Sequence, residues 1–249
     1  MTIAPEPITA LAPALRGPVL MNQDWKDLTY LHWAVDPERV AGLMPQGVRP
    51  DILDGRTYVG LVPFRMVDAA PGPRGRVPWL GTFLETNVRL YSVDAAGRRG
   101  VVFLSLDCDR LLVALSARIG FGTPYRWARM RHLRSDLPGG GQQHTYTAQL
   151  RGRRDTVRSR VVVRVGDARV PDERDHFLSA RWGLHTRIGG RTRYVPNRHE
   201  PWPLCDAELV ELDDALLGSV GLGELADRAP DHVAFSPGVH AEFGLPFSP

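Results

Sequence analysis

Phe83-Leu84-Glu85-Thr86-Asn87-Val88-Arg89-Leu90-Tyr91 is the stretch from which the fold can be read. Side chains on a strand alternate between two faces. Glu85, Asn87, Arg89 and Tyr91 therefore share one face, and Leu84, Val88 and Leu90 lie on or near the other. An acid, an amide, a guanidinium and a phenol in a row suit either solvent or a polar interior. The run that follows narrows the choice. Val101, Phe103, Ser105, Asp107 and Asp109 fall on one face, and Val102, Leu104, Leu106 and Cys108 on the other. Both faces begin apolar, as on a central strand. Polar groups there must be paired, because burying them alone is costly. A network of Arg89 with Glu85 or Asp107 inside a barrel meets that need, whether it binds a polar ligand or only holds the barrel together.

Working outward, Asp94-Ala95-Ala96-Gly97 reads as the turn of a hairpin joining 82–93 to 100–107. Thr57–Met66 is β-rich, and Pro71–Pro78 is a loop. Tyr146–Arg151 with Arg160–Val165, Leu204–Leu212 and Val233–Phe243 read as further strands. Asp36-Pro37-Glu38 starts a short helix with Asp36 as cap and Pro37 at its first position, and Pro45 and Gly47 stop it. Helices are expected over 124–133, 172–184 with Asp172 as cap, and 216–226. Residues 1–20, with four prolines, read as a loose, flexible arm before a single domain over 21–249. Many strands with few helices predict an α+β, mainly β chain: a barrel or curled antiparallel sheet with peripheral helices.

Three further segments carry candidate chemistry. In Ala117-Arg118-Ile119-Gly120-Phe121-Gly122-Thr123-Pro124-Tyr125-Arg126, a helix starting at Pro124 places Tyr125 at the positive end of the helix dipole, where a phenol can donate to an oxyanion. In Arg198-His199-Glu200-Pro201-Trp202-Pro203, two prolines hold an extended stretch around Trp202, and His199 is a candidate acid or base. His32, within Leu31-His32-Trp33, is another. Each of these also has a purely structural reading as a packed or hydrogen-bonded group. The chain lacks a P-loop, a dinucleotide fingerprint, a nucleophile elbow and a His-Glu-x-x-His zinc motif, so no cofactor and no metal is expected.

The 31 cationic residues include a single lysine, Lys26, and the net charge is +3. The arginines of 151–164 do not interleave with aromatics as a nucleic-acid surface would, so no nucleic-acid partner is expected. No apolar run approaches the roughly 20 residues of a membrane span. Two cysteines without metal or disulfide spacing fit a reducing cytoplasm. Nothing in the sequence fixes an oligomeric state, which leaves a homo-oligomer open.

Trp25 with Leu31-His32-Trp33, Leu43-Met44-Pro45-x-Gly47, Val59-Gly60-Leu61-Val62-Pro63-Phe64, Glu85-x-Asn87-Val88-Arg89-x-Tyr91, Phe103-x-Ser105-Leu106-Asp107, Pro124-Tyr125-x-x-Ala128-x-Met130 and His199-x-Pro201-Trp202-Pro203-Leu204 resemble the YqjF-like, or DUF2071, family. The likeness runs from about residue 20 to 245. That family is in turn similar to acetoacetate decarboxylase, which implies a cone-shaped antiparallel barrel with peripheral helices and an interior cavity. In the decarboxylase a Pro-Lys-Lys helix start carries the imine-forming lysine, whose pKa a cationic neighbour lowers. The resemblance places Tyr125 and Arg126 at those two lysines, and Glu85 at a cavity glutamate. Neither Tyr125 nor Arg126 can form an imine, and Lys26 lies outside the motif. The expectation is a cofactor-independent enzyme, not a Schiff-base decarboxylase, acting on a small carbonyl or polyketide-like metabolite. Its chemistry would be of lyase, cyclase or isomerase type: enolisation, dehydration or cyclisation, with hydrolysis also open to this residue set. Glu85, Tyr125 and His32 are the expected catalytic residues. Arg89, Arg118, Arg126, Asp107, His199 and Trp202 are the expected substrate contacts. The alternative is a non-catalytic binding or sensing protein that uses the same cavity.

Overall fold

The computed structural model describes residues 3–114, 122–152 and 155–249. Arg118 lies outside the described residues. Twelve strands form one sheet: β1 Met21–Val35, β2 Val48–Pro50, β3 Thr57–Pro71, β4 Phe83–Asp94, β5 Arg99–Cys108, β6 Tyr125–Asp136, β7 Gln142–Leu150, β8 Arg158–Ala168, β9 Gly183–Ile188, β10 Arg191–His199, β11 Cys205–Asp214 and β12 His232–Phe243. The long strands are rich in β-branched and aromatic residues that fit a pleated surface, as Thr57-Tyr58-Val59 does in β3. Helix α1, Pro37–Ala41, starts where expected, with the Asp36 carboxylate accepting from the Glu38 amide.

The sheet closes on itself twice. One ring runs β5-β6-β7-β8-β11-β12-β1-β3-β4 and returns to β5. A second leaves β5 through β9 and β10 and rejoins at β12. The two rings share β12, β1, β3, β4 and β5. Pairing is antiparallel except where β5 meets β6 and β9. Odd-numbered residues of β1 and β3 (Leu31, Trp33, Val59, Leu61) turn into the nine-stranded ring with Val88, Leu90, Tyr146, Val161 and Val163. Leu216, Leu217, Leu222 and Leu225, on and beside two 3-10 turns at Gly218–Val220 and Gly223–Leu225, join the same core. The opposite faces of the shared strands line the second enclosure, which is hollow. Among the described residues no helix is long and apolar enough to cross a membrane.

Three helical expectations are corrected. Residues 125–136 form strand β6, paired with β7 from Ala128↔Leu150 to Asp136↔Gln142. The Arg, Ala, Met and Leu of this segment are good helix formers, but tertiary pairing outweighs that weak preference. Thr123 and Pro124 therefore start no helix. Helix α2 is only Glu173–Ser179, held by a reciprocal capping box of Asp172 and Asp175. The chain then turns into β9 at Gly183, where a Cβ would collide with the Tyr194 ring. The helix expected over 216–226 is the pair of 3-10 turns. Residues 3–20 form no helix or strand but are tied down by Glu6 N–H to Gly97 O at 2.8 Å and Arg99 Nε to Glu6 O at 2.6 Å.

Candidate active site

The hollow enclosure is a cavity of about 710 Å³. Its walls are mostly apolar and draw on β1, β3, β4 and β5, with Phe64, Met66 and Phe83 among the lining residues. Alternation along β4 places Phe83, Glu85, Asn87 and Arg89 on the cavity side, as expected. The same expectation for β5 fails part-way. Phe103 and Leu106 both face the cavity, because a register shift between Val88 and Arg89 inserts an extra residue into β5. Such a bulge switches the facing of everything beyond it. Asp107, opposite Thr86, consequently leaves the Glu85 face.

Asp107 is fully buried and bound bidentately by Arg126, with Nε to Oδ1 at 2.5 Å and Nη2 to Oδ2 at 2.8 Å. Arg126 also donates to Ser219 Oγ at 2.8 Å. Neither residue lines the cavity. Their assignment as substrate contacts therefore gives way to an ion pair behind the cavity wall. Arg126 follows Tyr125 on a strand, so the two side chains take opposite faces.

Tyr125 and Glu85 meet inside the cavity. The Tyr125 hydroxyl donates to Glu85 Oε2 at 2.7 Å, and Asn87 Nδ2 stands 3.5 Å from Oε1. Glu85 is 2% exposed and, among the described residues, has no cationic partner. Burial pushes its carboxyl up to about 7, against the opposing effect of the Tyr125 and Asn87 hydrogen bonds and with some help from the Asp107 charge. Burial, and then the Glu85 charge, push the Tyr125 phenol well above its usual range.

Arg89 carries the cavity's uncompensated charge. Its Nε and Nη2 reach Tyr91 Oη at 3.1 and 2.8 Å, and Nη2 reaches Leu178 O at 3.1 Å. Among the described residues it makes no ion pair. Arg181, which the sequence reading missed, lies on the same wall. It donates from Nη1 to Asp51 at 2.5 Å and from Nε to Phe177 O at 2.6 Å, while its buried Nη2 has no partner among the described residues. The Oδ1 atoms of Asn87 and Asn197 belong to cavity-lining residues and are buried acceptors that also lack a partner among the described residues. Asp51 and Arg181 are far apart in the chain, and a single sequence carries no sign that they meet.

His199 and Trp202 line the cavity as an aromatic wall. Trp202 stacks on Trp25 at 5.7 Å, and the His199 ring stands 5.1 Å from Trp202 and 4.6 Å from Trp182. Burial lowers the His199 pKa to about 4, so its ring is neutral at ordinary pH. His32 is fully buried and does not line the cavity. It lies beyond Gly60, where an added Cβ would sit 3.0 Å from the His32 ring and 3.2 Å from the Arg89 stem. Lys26 does not line the cavity either.

A doubly closed sheet around one cavity is the acetoacetate decarboxylase-like fold, and solved structures bear the likeness out. The enduracididine biosynthesis enzyme MppR complexed with pyruvate superposes with a TM-score of 0.60 at 16% identity, covering 94% of this chain and 91% of that one. An acetoacetate decarboxylase-like enzyme from Sphingomonas wittichii RW1 gives 0.60 at 14% identity over 94% and 93% of the two chains. Acetoacetate decarboxylase from Legionella pneumophila gives 0.58 at 11% identity over 95% and 92%. Within that fold, residues 22–240 match the model of DUF2071, described as an uncharacterized conserved protein, and the chain belongs to that family. The uncharacterized protein YqjF of Bacillus subtilis (strain 168) is 27% identical over 191 residues, 76% of each chain.

Proposed function

We propose that the cavity is the active site of a cofactor-independent enzyme that moves a proton beside a carbonyl group of a small carboxylate. The observation that carries this is the Glu85–Tyr125 pair. A general base works best with a pKa near the operating pH. Glu85, at about 7, fits that role, and its shift arises from burial in a cavity rather than from an ion pair. In the step proposed, the Glu85 carboxylate takes a proton from the carbon next to the carbonyl. The C–H electron pair forms the carbon–carbon double bond, and the carbonyl electrons move to oxygen. The Tyr125 hydroxyl, released from Glu85, hydrogen-bonds that oxygen. Delivery of that proton from Glu85 to the enolate oxygen completes a keto–enol isomerisation. Departure of a β-hydroxyl as water, with the proton that Glu85 has taken, turns the same enolate to dehydration, and attack of its carbon on a second carbonyl, whose oxygen takes that proton, turns it to cyclisation. Arg89, lacking a carboxylate, holds the substrate's acid group. The pyruvate complex of MppR supports a ligand of this kind in the fold. No lysine takes part, because the only one, Lys26, stands outside the cavity.

Benzylpyruvate carries the required acid, ketone and apolar body. In heavy water the wild type is expected to exchange the methylene protons beside its ketone, followed by proton NMR. Glu85→Gln should slow exchange by about 100- to 10,000-fold, the usual worth of a positioned acid or base. Binding of benzylpyruvate without any exchange in the wild type favours the binding or sensing role instead. Exchange that survives in both Glu85→Gln and Tyr125→Phe removes the assigned roles.

A further inference from the structure

Behind Arg89 lies a chain of buried polar groups that the proposed reaction does not use. Tyr91 Oη stands 2.6 Å from His32 Nε2, His32 Nδ1 stands 3.0 Å from His232 Nδ1, and His232 Nε2 stands 2.8 Å from Asp175 Oδ1. Arg169 pairs with the same Asp175 oxygen and passes 3.0 Å from His232 Nε2. The Asp172 amide donates to Asp175 Oδ2 at 3.1 Å. Four elements supply the chain: β4, β1, β12 and the first turn of α2.

The direction of every bond follows from its far end. Burial of Asp175 opposes its ionisation, but hydrogen bonds from His232 and the Asp172 amide, with the Arg169 charge, outweigh it and hold the carboxyl at about 2. An ionised carboxylate only accepts, so His232 Nε2 carries a hydrogen. In neutral His232 the Nδ1 then offers a lone pair, and His32 Nδ1 must donate to it. That leaves a lone pair on His32 Nε2, which takes the Tyr91 proton. Both lone pairs of Tyr91 Oη are thereby free to accept from Nε and Nη2 of Arg89.

We infer that His32, His232 and Asp175 are positioning residues, which orient the Tyr91 hydroxyl so that its oxygen clamps the Arg89 guanidinium in the cavity. This rests on Arg89 being the anion-holding group proposed above. The clamp depends on His32 staying neutral. A proton on His32 Nε2 would face Tyr91 and turn its hydroxyl to Leu178 O, 3.0 Å away. Three donors would then compete for two lone pairs, and Arg89 would lose a bond. The surroundings favour the neutral ring: burial first, and then the Arg89 and Arg181 charges, lower its pKa. Tyr30, stacked 5.9 Å from His32, adds no negative charge, because burial keeps its phenol protonated. His32 is thus reassigned from acid or base to support.

Nitrogen-15 NMR of histidine-labelled protein reads the tautomers directly. The expected result is His32 with hydrogen on Nδ1 and His232 with hydrogen on Nε2. His32 carrying its hydrogen on Nε2 overturns the inference. His232→Phe keeps ring volume but removes the acceptor, and Asp175→Asn removes the fixed end. In each, His32 should lose its single tautomer, and benzylpyruvate should bind about tenfold more weakly. Neutral benzylacetone should bind either variant as it binds the wild type, which a general loss of packing would not allow. Unchanged benzylpyruvate affinity in both variants also overturns the relay. If Arg89→Met leaves benzylpyruvate binding unchanged, the anion-holding role of Arg89 fails, while the tautomers still report on the relay.

Discussion

Glu85 and Asp107 sit on neighbouring strands, both almost wholly buried, and the structure treats them in opposite ways. Asp107 has a bidentate arginine and a place behind the wall. Glu85 has a phenol, an amide and a cavity. A carboxylate paired this closely is fixed as an anion, whereas a buried one without a cation is poised to gain or lose a proton near neutral pH. The contrast between a fastened acid and a reactive one is set by one extra residue in β5. Without that bulge both acids would face the same space.

Breaking the fastened side should show the largest effect on stability. Arg126→Leu takes the bidentate guanidinium away from buried Asp107, which is expected to cost about 3–5 kcal/mol in urea unfolding. Benzylpyruvate binding by the folded fraction should not change. A variant that binds poorly while unfolding normally would put Arg126 back at the site.

On the reactive side the effect is somewhat smaller and depends on pH. Folded Glu85 keeps its proton to about pH 7, while an unfolded chain releases it near the ordinary 4.5. Stability from the buried neutral acid is therefore full below about 4.5 and is lost as pH rises toward 7. The loss amounts to about 3 kcal/mol, from the size of the shift. Gln cannot ionise, so Glu85→Gln should gain on the wild type by that amount between pH 4 and pH 8. A constant difference across the range would mean that Glu85 does not titrate as proposed.

Much of this was legible in the sequence, and the misses share a cause. Alternation along 83–91 placed Glu85, Asn87 and Arg89 on one face correctly, because β4 runs without an irregularity of its own there. The facing of Asp107 was misread because a bulge leaves no trace in residue types. Tyr125 was singled out, but on a helix that does not exist. Its proximity to Glu85 comes from a parallel contact of β5 with β6 that joins Asp107 to Arg126, 19 positions further along the chain. Arg181, His232 and Asp175 went unseen because their partners, Asp51 and His32, lie far away along the chain. Such long-range meetings are made by ring closure, which local patterns cannot report.

The central claim is that Glu85 titrates near neutrality while hydrogen-bonded to Tyr125. Infrared difference spectra against pH, wild type minus Glu85→Gln, isolate its carboxyl stretch. The band of a protonated carboxyl should disappear with a midpoint at about 7. In Tyr125→Phe the midpoint should rise by about one unit, since a hydrogen bond to the charged form is lost. A midpoint near 4.5 in the wild type, the ordinary value for a glutamate, would contradict the account.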